Sequence, residues 1–251
     1  MNLQTELNSY GGSSVFSALD RVSTFTRLKN IEIKENDFTV RNLTSAGDLQ
    51  KAYQLRHLIF AEELGWVSKT EAGLELDDYD KNASAFGVFD KMNNLSAYMR
   101  LIMAGKQFMM EKEFSFLVSP EHHLKKGMDT AEVSRLCVAP GARNDTVSGN
   151  FGLHSTSIFL LKGVYQWCLK NRVDYLYAVT EEKIYRLYRA KGFPFKLIGE
   201  PKQMPDGVIA AALIMDWREF ETLNKLKRPR MFRWFCQSNS MSPKSSAMAV
   251  A

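Results

Sequence analysis

Residues 56–80 read RHLIFAEELGWVSKTEAGLELDDYD, and the rest of the chain is read outward from them. The stretch opens as a helix, with Leu55, Leu58, Ile59 and Leu64 at helical spacing. Gly65 breaks that helix into a loop carrying Trp66, Glu75, Asp77, Asp78 and Asp80. Acids this dense repel one another unless they meet cations or a cationic ligand. A solvated acidic loop is the plain reading of such a charge run. Arginines placed elsewhere in apolar surroundings argue for something more.

Two of them stand out. Arg100 lies within YMRLIM and Arg135 within VSRLCV, both strand-like and apolar. An isolated charge in such a setting is very costly, so each arginine needs a carboxylate partner. Arg56, Arg100 and Arg135 are therefore set against Glu75, Asp77, Asp78, Asp80 and Glu132, either as a structural ion network or as a binding site. Glu132 and Arg135 are three residues apart and would point to opposite faces of a flat strand; a bulge between them is needed for both to reach one site.

The order of elements follows from periodicity and turn signals. Phe38, Val40 and Leu43 predict a first strand, and Thr44 or Ser45 caps a helix running to about Leu64. Ala85–Phe89 and Leu95–Met103 predict a hairpin turning at Asn93-Asn94, and Thr130–Val138 a further strand. A long amphipathic helix is expected over 152–171, a buried strand over 173–180, a helix over 181–190, and final strands over 193–197 and 208–217. This predicts an α/β domain with a mixed central β-sheet flanked by helices on both faces. The expected division is an extension over 1–35 with a short helix at 15–28, a globular domain over 36–222, and a basic aromatic segment with tail over 223–251.

Composition sets limits. With 251 residues, 45% hydrophobic and 24% charged, the chain is ordinary for one large globular domain. No apolar run is long enough for a membrane helix, and MNLQTELNSYGG has neither the basic nor the apolar region of a secretory signal. Cys137, Cys168 and Cys236 form no disulfide or metal pattern, so a reducing, cytoplasmic setting is expected, with Cys137 and Cys168 as core residues. The four histidines show no metal-ligand spacing, and there is no nucleophile elbow or phosphate-binding glycine loop. Net charge is +5, but no nucleic-acid-binding motif is present, so nucleic acid is not expected. Arg228, Arg230 and Arg233 interleave with Met231, Phe232, Trp234 and Phe235, a pattern open to peripheral membrane contact or to packing on the domain. Carboxylates without a metal suit deprotonation of an amine or binding of a cationic substrate.

Taken in order, these residues resemble the acyl-homoserine-lactone synthases, the autoinducer synthases of quorum sensing, acyltransferases of the GNAT-like fold. The family pattern R-x3-F, W, E-x-D-x2-D, R, F, E-x2-R is met by Arg56 and Phe60, Trp66, Glu75, Asp77 and Asp80, Arg100, Phe114 (or Phe116), and Glu132 with Arg135. The resemblance spans about 38–219 and includes VTEEKIYRLYRAKGFPFKLIGEP. It implies N-acyl transfer from an acyl carrier protein (ACP) to the amine of S-adenosylmethionine, with no bound cofactor and acyl-phosphopantetheine as the donor group. VSRLCV is similar also to the N-acyl amino acid synthases, which acylate a free amino acid, so the acceptor stays open. Within the implied reaction, Glu132 and Glu75 are both candidates for the base, with Arg135 beside them. Arg56, Phe60, Trp66, Asp77, Asp80, Arg100 and Phe114 are expected to shape the acceptor pocket. The acyl tail is expected against Leu101, Met103, Phe116, Leu136 and the long helix. The segment after Val138 lacks the glycine spacing that cradles a coenzyme A pyrophosphate, which suits an ACP donor. Its docking face is expected among Lys162, Lys170, Arg172, Lys183, Arg186, Arg189 and Lys191.

Overall fold

The computed structural model describes residues 28–149 and 152–237. Alternating apolar residues build a nine-stranded sheet: β1 (Glu32–Glu35), β2 (Phe38–Asn42), β3 (Ala83–Phe89), β4 (Leu95–Met103), β5 (Thr130–Val138), β8 (Tyr175–Glu181), β9 (Lys196–Leu197), β10 (Lys202–Gln203) and β11 (Ile209–Asp216). The order is β1-β2-β3-β4-β5-β8-β11-β10, with β9 also on β11. The pairings are antiparallel except β5 with β8. That parallel pair needs a crossover, which α3 (Thr156–Asn171) supplies.

One face of the sheet carries α1 (Ala46–Arg56) and the short α2 (Met109–Lys112). The other carries α3, α4 (Glu182–Ala190), α5 (Trp217–Lys227) and α6 (Pro229–Cys236), around the largest apolar core. Helix α3 lies directly on β2 because residue 163 is glycine: a Cβ there would come within 2.5 Å of Val40 Cγ2. Helix α1 begins at Ser45, whose hydroxyl accepts from Asp48 N, and continues as π-type turns over His57–Glu63. The wider turn lets His57, Ile59, Phe60 and Ala61 all face inward before Gly65, at φ +66°, ends the run.

The parallel pairing of β5 with β8 covers Thr130–Val133 against Tyr175–Ala178. Beyond it β5 continues on β4 and β8 continues on β11, so the sheet opens between Ser134–Val138 and Val179–Glu181. This opening lies beside Arg135–Val138.

Several expected boundaries need correction. The extension predicted over 1–35 gives way to sheet by Glu32, because Ile31 and Ile33 are buried and β1 pairs with β2. The helix expected at 15–28 falls almost wholly outside the described residues. Residues 152–155 are not helical; they form β7 (Gly152–Ser155), paired with β6 (Thr146–Gly149), and α3 starts at Thr156. The division at 222/223 cuts through α5. The described part of the segment beyond it, up to residue 237, packs on the domain, and the expected tail lies outside the described residues: Trp234 and Phe235 are fully buried in the main core, so these rings are not free for a membrane. Among the described residues no helix is long and apolar enough to cross a membrane.

Candidate active site

The acidic loop folds back over α1 and β4 through its own hydrogen bonds. Glu75 N donates to Tyr53 O, and Asp77 and Asp80 cap one another's backbone in a 3-10 turn at Asp78–Asn82. The turn presents Asp77 and Asp80 inward while Asp78 stays exposed beside Lys81. Arg56 and Arg100 reach them from α1 and β4, both at 0% exposure.

The contacts close into one network. Arg56 donates from Nε to Glu75 at 2.5 Å and from Nη1 to Asp80 at 2.7 Å. Arg100 donates to Asp77 at 2.6 and 2.8 Å, to Asp80 at 2.6 Å, and from Nε to Ser134 Oγ at 2.8 Å. Arg135 donates from Nη2 to Glu75 at 2.9 Å and to Asp77 at 3.1 Å. Burial works to raise the pKa of Glu75, but bonds from Arg56 and Arg135 outweigh it and hold it below the ordinary value. Arg100 does the same for Asp77 against the same burial.

Arg135 joins this network because of a bulge in β5. Tyr98 faces Cys137 and Arg100 faces Ser134, so Met99 stands opposite both Arg135 and Leu136. Arg135 adopts φ +57°, costly for a side chain with a Cβ, and its bonds to Glu75 and Asp77 hold it there. The bulge that the Glu132–Arg135 spacing called for is therefore present. It brings both residues to the face bearing α1 and α2.

Glu132 is nevertheless not in the ion network. It is 1% exposed and accepts from Met109 N at 2.6 Å and Met110 N at 2.9 Å, the start of α2. Burial pushes its carboxyl up to about 7. Met109 in turn places Sδ 3.3 Å from Arg100 Nη2, so Glu132 ties α2 to the network. Both oxygens of Glu132 are occupied by backbone donors and both of Glu75 by guanidinium groups. Neither Glu75 nor Glu132 therefore has an oxygen without a donor in this geometry.

Phe60 and Trp66 stack at 6.1 Å, with the Arg135 guanidinium 5.4 Å from the Phe60 ring and Trp66 44% exposed, at the rim. Phe114 packs against the buried cluster that includes Met109, Met110 and Tyr177, whereas Phe116 turns out beside Lys202. That removes Phe116 from the expected acyl lining, while Leu101, Met103 and Leu136 do share the core under α3. Ser134, Tyr53, Tyr98, Met109 and Met110 also build the site. Only the strand register could have pointed to Ser134, which stands opposite Arg100.

Lys162 is corrected as well. It is 0% exposed, bonded to Glu35 of β1, with its ammonium 4.6 Å from the Trp234 ring, so it is no docking residue. Lys170, Arg172, Lys183, Arg186 and Arg189 are exposed, and Lys191 is half-buried.

A model of the autoinducer synthase family matches residues 40–223. The chain belongs to the autoinducer synthase family. Its members are acyltransferases, and this chain is an enzyme of that class with the GNAT-like fold. It is 26% identical over 175 residues to a probable acyl-homoserine-lactone synthase of Sinorhizobium fredii, covering 69% of this chain and 83% of that protein. Among solved structures it is similar to the acyl-homoserine-lactone synthase LasI, with TM-score 0.60, 17% identity, and 75% and 91% of the two chains covered. It is also similar to BjaI, a coenzyme A-dependent acyl-homoserine lactone synthase bound to S-adenosylmethionine and isopentyl-coenzyme A, with TM-score 0.58, 22% identity, and 70% and 80% covered. For this autoinducer synthase, the matched span takes in the whole ion network and the opening between β5 and β8, and leaves β1 and α6 outside.

Proposed function

We propose that this enzyme acylates the amine of S-adenosylmethionine with an acyl chain delivered as an ACP thioester, releasing an acyl-homoserine lactone and methylthioadenosine in the cytoplasm. The observation that carries this reading is the convergence of Arg56, Arg100 and Arg135 with Glu75, Asp77 and Asp80 beside the β5–β8 opening, in a chain of this family.

The geometry supports the following roles. The thioester carbonyl enters the opening, where backbone N–H groups of β5 released from strand pairing with β8 are free to stabilise the oxyanion. The acyl tail runs towards Leu101, Leu136 and α3. The acceptor lies on the α1/α2 face, with Asp77 and Asp80 held rigid by Arg56 and Arg100 and with Phe60, Trp66 and Phe114 as apolar walls. Glu75 and Arg135 fix the bulged edge, and Glu132 holds α2 in place. Lactone closure needs only the substrate's own carboxylate to displace the sulfonium leaving group, so it depends on the substrate being held bent.

Two features favour ACP over coenzyme A. A β-hairpin, not a glycine-rich loop, precedes α3. Exposed cations on α4 and at the end of α3 offer an acidic carrier a docking face. The test is mass spectrometry of products from the purified chain with S-adenosylmethionine or free amino acids, and with acyl-ACP or acyl-coenzyme A. Acyl-homoserine lactone formed preferentially from acyl-ACP supports the proposal. Acyl amino acid as the product removes the acceptor assignment, and equal rates with acyl-coenzyme A remove the donor assignment.

A further inference from the structure

We infer that Glu181, at the end of β8, takes the proton from the acceptor amine and returns it to the departing thiol. This rests on the acyl transfer proposed above.

The carboxylates of the network are all committed. Asp77 receives Arg100 and Arg135; Asp80 receives Arg56 and Arg100 on one oxygen and the Asp77 N–H on the other. Glu75 and Glu132 have both oxygens engaged. An amine attacking in the opening needs a carboxylate that is at the opening, on the acceptor's face, and not bound to a buried donor.

Glu181 meets each condition. On β8, Tyr177 faces the α2 side, packed with Phe108, and Val179 packs in the same cluster. Alternation puts Glu181 on that face too, and its strand partner Ala210 belongs to the same cluster. Pairing of β8 with β5 has stopped at Ala178, so Glu181 borders the opening. Its side chain is 13% exposed, and its ion pair is with Lys183, whose side chain is 74% exposed. A pair whose cation stands in solvent is weak and easily exchanged.

The step balances. The ammonium of the acceptor passes a proton to the Glu181 carboxylate. The free amine attacks the thioester carbon, the C–N bond forms and the C–S bond breaks. The leaving thiolate takes the proton back from Glu181, and the amide nitrogen loses its remaining proton to solvent. Nothing beyond donor and acceptor is consumed.

The test compares wild type with Glu181→Gln, Glu181→Asp and Glu113→Gln, the last an exposed acid on the same face, using S-adenosylmethionine and acyl-ACP across a pH range. The expected result for Glu181→Gln is a kcat loss of about 10²–10⁴ with KM for the donor unchanged, and a rate that keeps climbing with pH as free amine accumulates. Glu181→Asp should recover part of kcat and the wild-type profile shape, and Glu113→Gln should match wild type. Should Glu181→Gln fail to fold on thermal melting, Glu181→Asp alone decides: a lowered kcat with unchanged KM supports the role. Wild-type kcat and an unshifted profile in a folded Glu181 variant would overturn it. If wild type makes no acyl-homoserine lactone with any donor, it is the acyl-transfer reading that fails, which this comparison shows separately.

Discussion

The Arg100 guanidinium grips both oxygens of Asp77, Nη1 at 2.6 Å from Oδ1 and Nη2 at 2.8 Å from Oδ2. A planar fork on a planar carboxylate fixes orientation as well as distance. Because Asp77 also receives Arg135 and caps Tyr79 N, one carboxylate sets the relation of β4, β5 and the acidic loop.

Arg100→Ala is therefore expected to remove activity and to cost about 3–5 kcal/mol, since it leaves Asp77 and Asp80 short of their cation in a largely buried place. Denaturant unfolding and a product assay read the two effects. Unchanged melting with full activity would place the site elsewhere.

Acid should weaken the fold through the same network. The pKa values of Glu75 and Asp77 are depressed in the folded state, so their contribution is fully present above their unfolded values of 4.5 and 3.8 and is lost as pH falls through the lower folded values. Glu75→Gln should flatten the acid limb of a stability–pH curve measured by urea unfolding. An acid limb identical to wild type would contradict this.

Glu132 has the opposite sign. Its folded pKa of about 7 lies above the ordinary 4.5, so the folded state holds the proton more tightly and stability falls as pH rises from about 4.5 to 7, then levels. In Glu132→Gln that slope should vanish, with kcat lowered through displacement of α2. A wild-type-minus-variant stability difference independent of pH between 5 and 8 would show that Glu132 does not titrate there.

Charge reversal at Lys170, Arg172, Arg186 or Arg189 should raise KM for acyl-ACP, reduce its dependence on salt and leave kcat nearly unchanged. Steady-state kinetics at low and high ionic strength provide the check, and indifference to these changes would move the docking face elsewhere.

Lys162→Met alone strands Glu35, which is 5% exposed, and should cost about 3–5 kcal/mol. Adding Glu35→Leu should recover most of the loss, because an apolar pair tolerates burial that a lone carboxylate does not. A double variant no more stable than the single one would mean that Glu35 is reached by water.

Periodicity made the central sheet legible: β2, β4, β5 and the helix running into His57–Glu63 lie where alternation and capping put them. The arginine–carboxylate pairing was legible too, since Arg100 and Arg135 in apolar strands demanded partners. The β6–β7 hairpin was missed because four-residue strands rich in glycine and serine resemble a loop. Lys162 was misplaced because helical spacing cannot say that β1 would bring Glu35 to it from 127 positions away. Glu132 was legible as a buried acid but not as an anchor, since its partners are backbone groups and no side-chain pattern announces them.

Strand β1 and helix α6 lie outside residues 40–223, yet Glu35 from one and Trp234 from the other meet on Lys162 inside them. A protein trimmed to the shared span would keep every residue of the ion network and still leave an ammonium buried without its counterion and the outer side of α3 bare. The matched span is thus not a unit that can be cut free here: β1 brings the counterion, and α6 the aromatic cover, for a cation buried on the side of the sheet away from the ion network.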